Sequence, residues 1–543
     1  MNAKKSFGQI VRDHKWLILM ELVILFLCWI IDKTFYLNTY YMNKMVHFLT
    51  IMGMILVALV WFLWAKRDIA IHKLFAIVGL FIGIMYMVMI PAYDTPDEPL
   101  HFYKAYQESN ALFGIHDSED GYVPLRTDDA NREPKNKYTN YLEYEHYYEQ
   151  MIIQLKSNII IDNATMKDTD YEASFPGQNG GAETQLYPYW PSVIAISLAR
   201  VLKLNTAPLY LAGRLANLLG FLIIFTLAIK KTPVAKVGFF GMGILPIVSQ
   251  QAISFAQDWL IMSLSALIVA LMLRFWYEED WKIHEMVILA VAGGLLCPLK
   301  HYTYFLISFL PLMLVIRALK QRDRASLKRS ALIFGGVILL FAVIVIIDTM
   351  LADPSAETTA SLFGKHIIGW ADTEGWDMNT LITETLNPKR FLLFHIFAET
   401  FVRYAGTYWI QSMSAGLGSM NISVPTFFSF VWILLFALMF AKRKDQKVEV
   451  KGRVRAFMII ITLLLIAVIL AGLLFGWTPA VYEFIVGVQG RYFVPVLPLI
   501  MLAMQSDMLV IDEKYDKGIV MFSVFHAVVL ILGIFAGFVV ATN

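Results

Sequence analysis

Apolar runs long enough to cross a lipid bilayer recur along most of this chain, and no other feature restricts its folding as strongly. They fall near residues 17–32, 45–65, 70–91, 207–229, 237–253, 259–276, 285–299, 301–317, 330–350, 424–441, 456–476, 491–509 and 519–541. A hydrocarbon core of about 30 Å is crossed by roughly 20 apolar residues of helix, so the runs predict about thirteen spans in an all-α, polytopic membrane bundle. Composition agrees. The 543 residues are 58% hydrophobic and 16% charged, where a soluble domain carries roughly a quarter charged residues. A soluble enzyme and an outer-membrane barrel are both excluded, and nucleic acid is not an expected ligand. The two cysteines, Cys28 and Cys297, lie inside apolar runs and support neither a disulfide framework nor a zinc site.

Charge distribution orients the spans. Positive residues gather at the N-terminus, at Lys66-Arg67, at Lys230-Lys231, between Arg317 and Arg329, and between Lys442 and Arg455. Placing all of these on the cytoplasmic side leaves two long polar segments, residues 92–186 and 351–423, on the external face. The basic N-terminus followed by an apolar run reads as a retained anchor, because no small-residue cleavage site follows Cys28. The chain therefore divides into N-terminal extra spans (1–69), a membrane core with the first external segment (70–350), a second external segment (351–423) and C-terminal spans (424–543). The first segment is too long for a structureless connection and is expected to be a mostly helical domain. Residues 187–204 and 391–412 read as interfacial helices, since counting 187–204 as a span would invert every later basic loop. Glu399 and Arg403, one turn apart, read as a plain helix ion pair.

The densest chemistry lies where the third span ends, in Pro91-Ala92-Tyr93-Asp94-Thr95-Pro96-Asp97-Glu98-Pro99-Leu100-His101-Phe102. Three carboxylates and an imidazole stand at the water interface, and a helix starting near Asp97 puts His101 on the same face four residues on. The structural alternative is that Asp94 or Asp97 merely caps that helix, with a proline in its first turn. Ionisable groups beside a bilayer are costly to desolvate, which favours a functional role. His101 fits either an orienting group for the carboxylate, a metal ligand or a surface residue.

An acidic pair opening a large first external loop directly after an outward-going helix resembles the signature of the C-type glycosyltransferase superfamily. The stretch Pro96 to Phe102, taken with Val488-Gln489-Gly490-Arg491-Tyr492-Phe493-Val494-Pro495, is similar to an uncharacterised family of predicted bacterial polytopic membrane glycosyltransferases. The resemblance covers roughly residues 70–510 and implies a fold of the C-type (GT-C) class. It implies Asp97 as catalytic carboxylate with Glu98 beside it, Asp94 being the rival for the role. The implied reaction moves a sugar, with inversion, from a polyprenyl-phosphate carrier to an external acceptor: a cell-wall polysaccharide, a teichoic acid, a lipid-linked glycan or a protein. A divalent metal, Mg²⁺ or Mn²⁺, is compatible with the carboxylates, and a metal-free acid/base site reads the same way.

A phosphate leaving group needs cations at the outer membrane face. Arg491 is the first choice, with Gln489 and Tyr492 adding hydrogen-bonding groups and Gly490 allowing close approach. Lys300-His301 at an outer turn and Arg214 in the outer half of its span are the others. Asp258 resembles a second acidic position of the superfamily, with an implied contact to substrate or metal. The competing class is a transporter or flippase for lipid-linked glycans, which predicts ionisable groups at mid-bilayer and broken helices in matching halves. Asn163 and Asn421 head glycosylation sequons, and Gly241, Gly243 and Gly294 read as sites of close helix packing.

Overall fold

The computed structural model describes residues 7–34, 39–117, 123–131, 138, 140–157, 159–160, 169–170, 185–351, 367–368, 371–385, 392–414, 416–418, 420–422, 424, 426–450 and 452–540. Helices α1 (Phe7–Thr34), α2 (Tyr40–Val60) and α3 (Ile71–Met89) take up the first three apolar runs. The first polar segment carries α4 (Glu98–Leu112), α5 (Thr127–Asn131) and α6 (Tyr141–Lys156), and the short α7 (Trp190–Val201) follows it. Next come α8 (Thr206–Lys231), α9 (Lys236–Gly243), α10 (Pro246–Ile253), α11 (Asp258–Tyr277), α12 (Ile283–Leu296), α13 (Phe305–Ser308), α14 (Leu312–Gln321) and α15 (Arg324–Leu351). The second polar segment holds α16 (Met378–Thr385) and α17 (Leu392–Met413). The last group is α18 (Thr426–Phe440), α19 (Gly452–Trp477), α20 (Leu497–Ala503) and α21 (Asp516–Val540).

Among the described residues eight helices are long and apolar enough to cross a membrane, and three shorter apolar helices accompany them. Two expected spans are broken instead. The run at 237–253 becomes α9 and α10, parted at Ile244-Leu245 before Pro246. The run at 301–317 becomes α13 and α14, parted before Pro311. Inside a helix a proline would remove a bond and clash, so the first run restarts with Pro246 at the first position of α10 and the second with Pro311 as the N-cap of α14. The run at 491–509 is likewise a 3₁₀ turn, Gly490–Val496, leading into the seven residues of α20.

Burial sorts the helices. The core span α11 is buried over 89% of its most apolar window, while α1 and α15 are buried over only 17% and face outward along most of their length. A helix apolar all round belongs in such a centre. Close packing follows the glycines: a side chain at Gly241 would meet Met439, one at Gly243 would meet Phe75, and one at Gly294 would meet Leu340.

The first polar segment is ordered by docking onto the bundle. Glu145 on α6 accepts hydrogen bonds from the backbone N–H groups of Tyr41 (2.8 Å) and Met42 (2.7 Å), so an acid closes the start of α2. Strand β1 (Leu125–Arg126) pairs antiparallel with β2 (Thr169–Asp170). Buried Arg126 grips Asp129 at 2.7 and 2.9 Å, and Tyr106 donates to the same carboxylate at 2.7 Å. Helix α7 has twelve residues and exposes Trp190, Ile194, Leu198 and Val201 along one stripe, too short for a span and suited to the membrane surface. A small antiparallel pair, β3 (Ile367–Ile368) with β4 (Thr373–Glu374), lies in the second polar segment. There α17 carries the expected Glu399–Arg403 pair at 2.7 Å. Asn163 lies outside the described residues.

Candidate functional site

Four charges meet where α3 ends and α4, α11 and the Gly490 turn begin. Arg491 Nη2 donates to Asp97 Oδ2 at 2.6 Å, Arg491 Nη1 donates to Asp258 Oδ2 at 3.2 Å, and Lys300 Nζ donates to Asp258 Oδ1 at 2.7 Å. The result is an alternating chain, Asp97–Arg491–Asp258–Lys300, assembled from positions up to 394 residues apart. Asp258 is 2% exposed and Arg491 3%, whereas the Asp97 side chain is 55% exposed. Asp97 is thus the end of the chain that faces outward.

Local backbone explains how Asp97 reaches this place. It occupies the N-cap of α4 with φ 62°, in the left-handed region that only glycine enters freely, and its side chain makes no capping bond. The capping alternative is therefore set aside: the carboxylate turns away from the helix N-terminus and toward Arg491. Lys300, His301 and Tyr302 form a run of three left-handed residues (φ 48°, 51° and 64°), which carries Lys300 across to Asp258 and leaves His301 exposed. Each such residue costs on the order of 1–2 kcal/mol, which the surrounding contacts must offset.

The 490 turn is seated by a missing side chain. A Cβ at Gly490 would collide with the backbone of Gln411 and Ser412 on α17. Gln411 also accepts the Gly490 N–H at 3.2 Å. Close approach at Gly490 thus serves a helix rather than a ligand. Tyr492 lies under both cations, its ring centroid 4.7 Å from Lys300 and 5.2 Å from Arg491. Its carbonyl accepts from Tyr304 at 3.0 Å. Gln489 lines a narrow recess with Arg491 and Gln411.

Glu98 and Arg214 are corrected. Arg214 is fully buried and all five of its N–H donors are spent inside the protein. Nε and Nη2 donate to Glu98 at 3.0 and 2.6 Å, Nη1 to the carbonyls of Met87 (3.2 Å) and Ile90 (2.6 Å), and Nη2 also to that of Pro91 (2.9 Å). No donor remains for a phosphate, and both Glu98 oxygens are occupied. The pair ties the end of α3 to α4 and holds Asp97 from behind. Asp94 is fully buried, accepts from Asn421 Nδ2 at 2.9 Å and bonds the Tyr144 hydroxyl. Asn421 is thereby a structural partner of the acidic loop rather than an open glycan acceptor.

His101 is buried, and its Nδ1 stands 2.6 Å from the Tyr189 hydroxyl. Burial pushes the imidazole down to about 4 despite the nearby carboxylates of Asp97 and Asp258, so the ring is neutral at physiological pH. Burial around Asp97 favours the neutral acid, but the charge and hydrogen bond of Arg491, with His101 and Lys300, outweigh it and hold the carboxyl below its usual range. Among the described residues no three His, Cys, Asp or Glu side chains stand together as metal ligands. Asp258 spends both oxygens, on Lys300 and Arg491, and Asp97 spends Oδ2 on Arg491.

Sequence reasoning missed Tyr189, Gln411 and the role of Asn421. Gln411 and Asn421 lie in a polar segment whose approach to the site no local pattern announces. Comparison with curated proteins and with solved structures finds no match. A family model does match, over residues 80–500, which include both Asp97 and Arg491 and leave out α1 and α2. This multi-pass membrane protein belongs to the predicted membrane protein family DUF2142.

Proposed function

We propose that this protein is a C-type glycosyltransferase of the cytoplasmic membrane, crossing it about thirteen times, with its site on the external face. It takes a sugar from a polyprenyl-phosphate carrier and places it on an acceptor hydroxyl of a cell-surface glycan, lipid or protein. The observation that carries the reading is the Asp97–Arg491 pair: an outward-facing carboxylate coupled to a buried cation that is itself held by Asp258 and Lys300.

The chemistry follows from that coupling. The acceptor oxygen attacks the anomeric carbon opposite the carrier phosphate, and Asp97 takes the hydroxyl proton as the new C–O bond forms. The bond to the phosphate breaks with its electron pair going to the phosphate oxygen, which inverts the anomeric centre. Arg491 and Lys300 are the cations for that developing charge. Arg491 can serve carboxylate or phosphate, and a phosphate that draws it away makes Asp97 a stronger base when a donor is bound. No step is routed through a metal.

The transporter reading draws support from the breaks at Ile244-Leu245 and before Pro311. Against it, the charge chain sits at one end of the bundle, at the start of α11, rather than midway along it. Membranes carrying the protein or its Asp97→Asn form, supplied with radiolabelled polyprenyl-phosphate sugars, decide between the two. Label moving to an acceptor only with intact Asp97 supports transfer. Label crossing the bilayer unchanged, equally well in both forms, supports transport.

A further inference from the structure

The opposite end of the bundle carries a second cavity. Helix α11 begins at Asp258 and ends at Tyr277, a rise of about 30 Å over its 20 residues. At that far end the Tyr277 hydroxyl donates to the Glu449 carbonyl at 3.0 Å. Glu449 lines a cavity of about 370 Å³ together with Lys442, Gln446, Arg455, Gln505 and Asp507. Parallel pairing of β5 (Lys442–Arg443) with β6 (Val510–Ile511) fixes the two loops that form its rim.

The cations of this cavity are not equivalent. Lys442 is neutralised by Glu449 and by Asp507, the latter at 2.6 Å. Arg455 has no carboxylate partner among the described residues; Nη2 donates to the Gln505 carbonyl, and Nε is buried without a partner. A guanidinium with donors to spare beside a cavity of this size is complementary to a compact anion.

A narrow apolar cleft adjoins the same stretch of α19. It is lined by Val454, Phe457 and Met458 of α19, Leu499 of α20, Met272 of α11 and Met313 of α14, among other apolar side chains. Val454 precedes Arg455, and Met458 lies one turn beyond it on the same face, so polar cavity and apolar cleft share one wall. Arg317, stacked over the Trp276 ring at 4.8 Å, and Lys231, paired with Glu285, lie at the same end of α11.

We infer that this end holds a single anionic phospholipid of the facing leaflet, with its phosphate against Arg455 and one acyl chain entering the cleft at Met458 and Leu499. A free anion uses only the cavity and a neutral lipid only the cleft. An anionic lipid uses both, and its net charge is matched by Arg455, which lines the cavity without a carboxylate partner among the described residues. Basic pockets between helices on the cytoplasmic side are suited to such head groups.

Native mass spectrometry of the purified full chain, titrated with dioleoyl phosphatidylglycerol or dioleoyl phosphatidylcholine, tests this directly. The expected result is one retained phosphatidylglycerol in preference to phosphatidylcholine. Arg455→Gln lowers that preference about fivefold, and Leu499→Trp, which fills the cleft, lowers retention of both lipids. Lys328→Gln, on an exposed part of α15, leaves the preference unchanged, and excess inorganic phosphate does not displace the lipid. An unaltered preference in folded Arg455→Gln, an equal loss in Lys328→Gln, or displacement by inorganic phosphate overturns the inference. Asp97→Asn retains lipid as the parent does, so failure here is separable from failure of the transferase reading.

Discussion

Arg491 reaches across 394 residues of sequence to bind Asp97 at 2.6 Å, and its second arm binds Asp258 at 3.2 Å. One guanidinium therefore orients an outward-facing carboxylate while remaining anchored to a buried one. That arrangement makes Asp97 the residue on which the proposed chemistry depends.

Asp97→Asn is expected to lower sugar transfer by about 10²–10⁴-fold, the usual contribution of a positioned general base. Its Tm should fall by less than that of Glu98→Gln, because more than half of the Asp97 side chain is exposed and buried Arg491 keeps Asp258 as a partner. Since Arg491 holds the carboxyl below its ordinary range, the parent keeps its base as the pH is lowered through the ordinary carboxylate range. A kcat/KM profile, which reports the free enzyme, that falls with a midpoint at or above that range rules Asp97 out as the base.

Glu98→Gln and Arg214→Met are expected to behave differently, since both residues are fully buried and paired to one another. Removing either partner strands a buried charge, at a cost of about 3–5 kcal/mol. Arg214→Met also strands the carbonyls of Met87, Ile90 and Pro91. Thermal unfolding in detergent should show a large fall in Tm for both, with Arg214→Met the worse. If Glu98→Gln is as stable as the parent yet inactive, Glu98 belongs to the chemistry rather than to its support.

His101 makes stability depend on mild acid. Its folded-state value lies at about 4 against 6.5 for the free side chain, so the unfolded chain binds a proton first as pH falls. The stability it contributes is complete above pH 6.5 and drains away toward pH 4, by about 3 kcal/mol in all. Unfolding measured across that window should be flatter for His101→Gln than for the parent. Equal slopes assign the acid sensitivity to other groups.

Gly490→Ala forces a Cβ into the backbone of Gln411 and Ser412, which are helix atoms with little freedom to yield. The expected cost is about 1–3 kcal/mol, accompanied by loss of transfer as Arg491 is carried away from Asp97. Crosslinking between cysteines placed at 97 and 491, with and without Gly490→Ala, would report the displacement directly, and undiminished crosslinking together with full activity of the Gly490→Ala single variant shows that α17 accommodates the methyl group.

The sequence by itself determined that this is a helical membrane protein, because span length and apolar character are local properties that each segment carries alone. It also marked candidate residues: Asp97 by the density of ionisable groups beside the bilayer, Asp258 by resemblance, and Lys300 and Arg491 as cations for the phosphate that the resemblance implies. Tertiary structure alone decided which of the marked residues meet. Glu98 and Asp97 are neighbours with identical chemistry, yet one is sealed against Arg214 and the other opens outward, a division set by the left-handed turn at Asp97 and by the helices packed behind it. Arg491 was the first choice and Arg214 a further candidate cation at the outer face; packing consumed every donor of Arg214 and left Arg491 shared between two acids. The breaks before Pro246 and Pro311 were equally hidden, since hydropathy averages over a proline that the backbone cannot ignore. Pairing across hundreds of residues leaves no local trace, and so the site became visible only in the packed bundle.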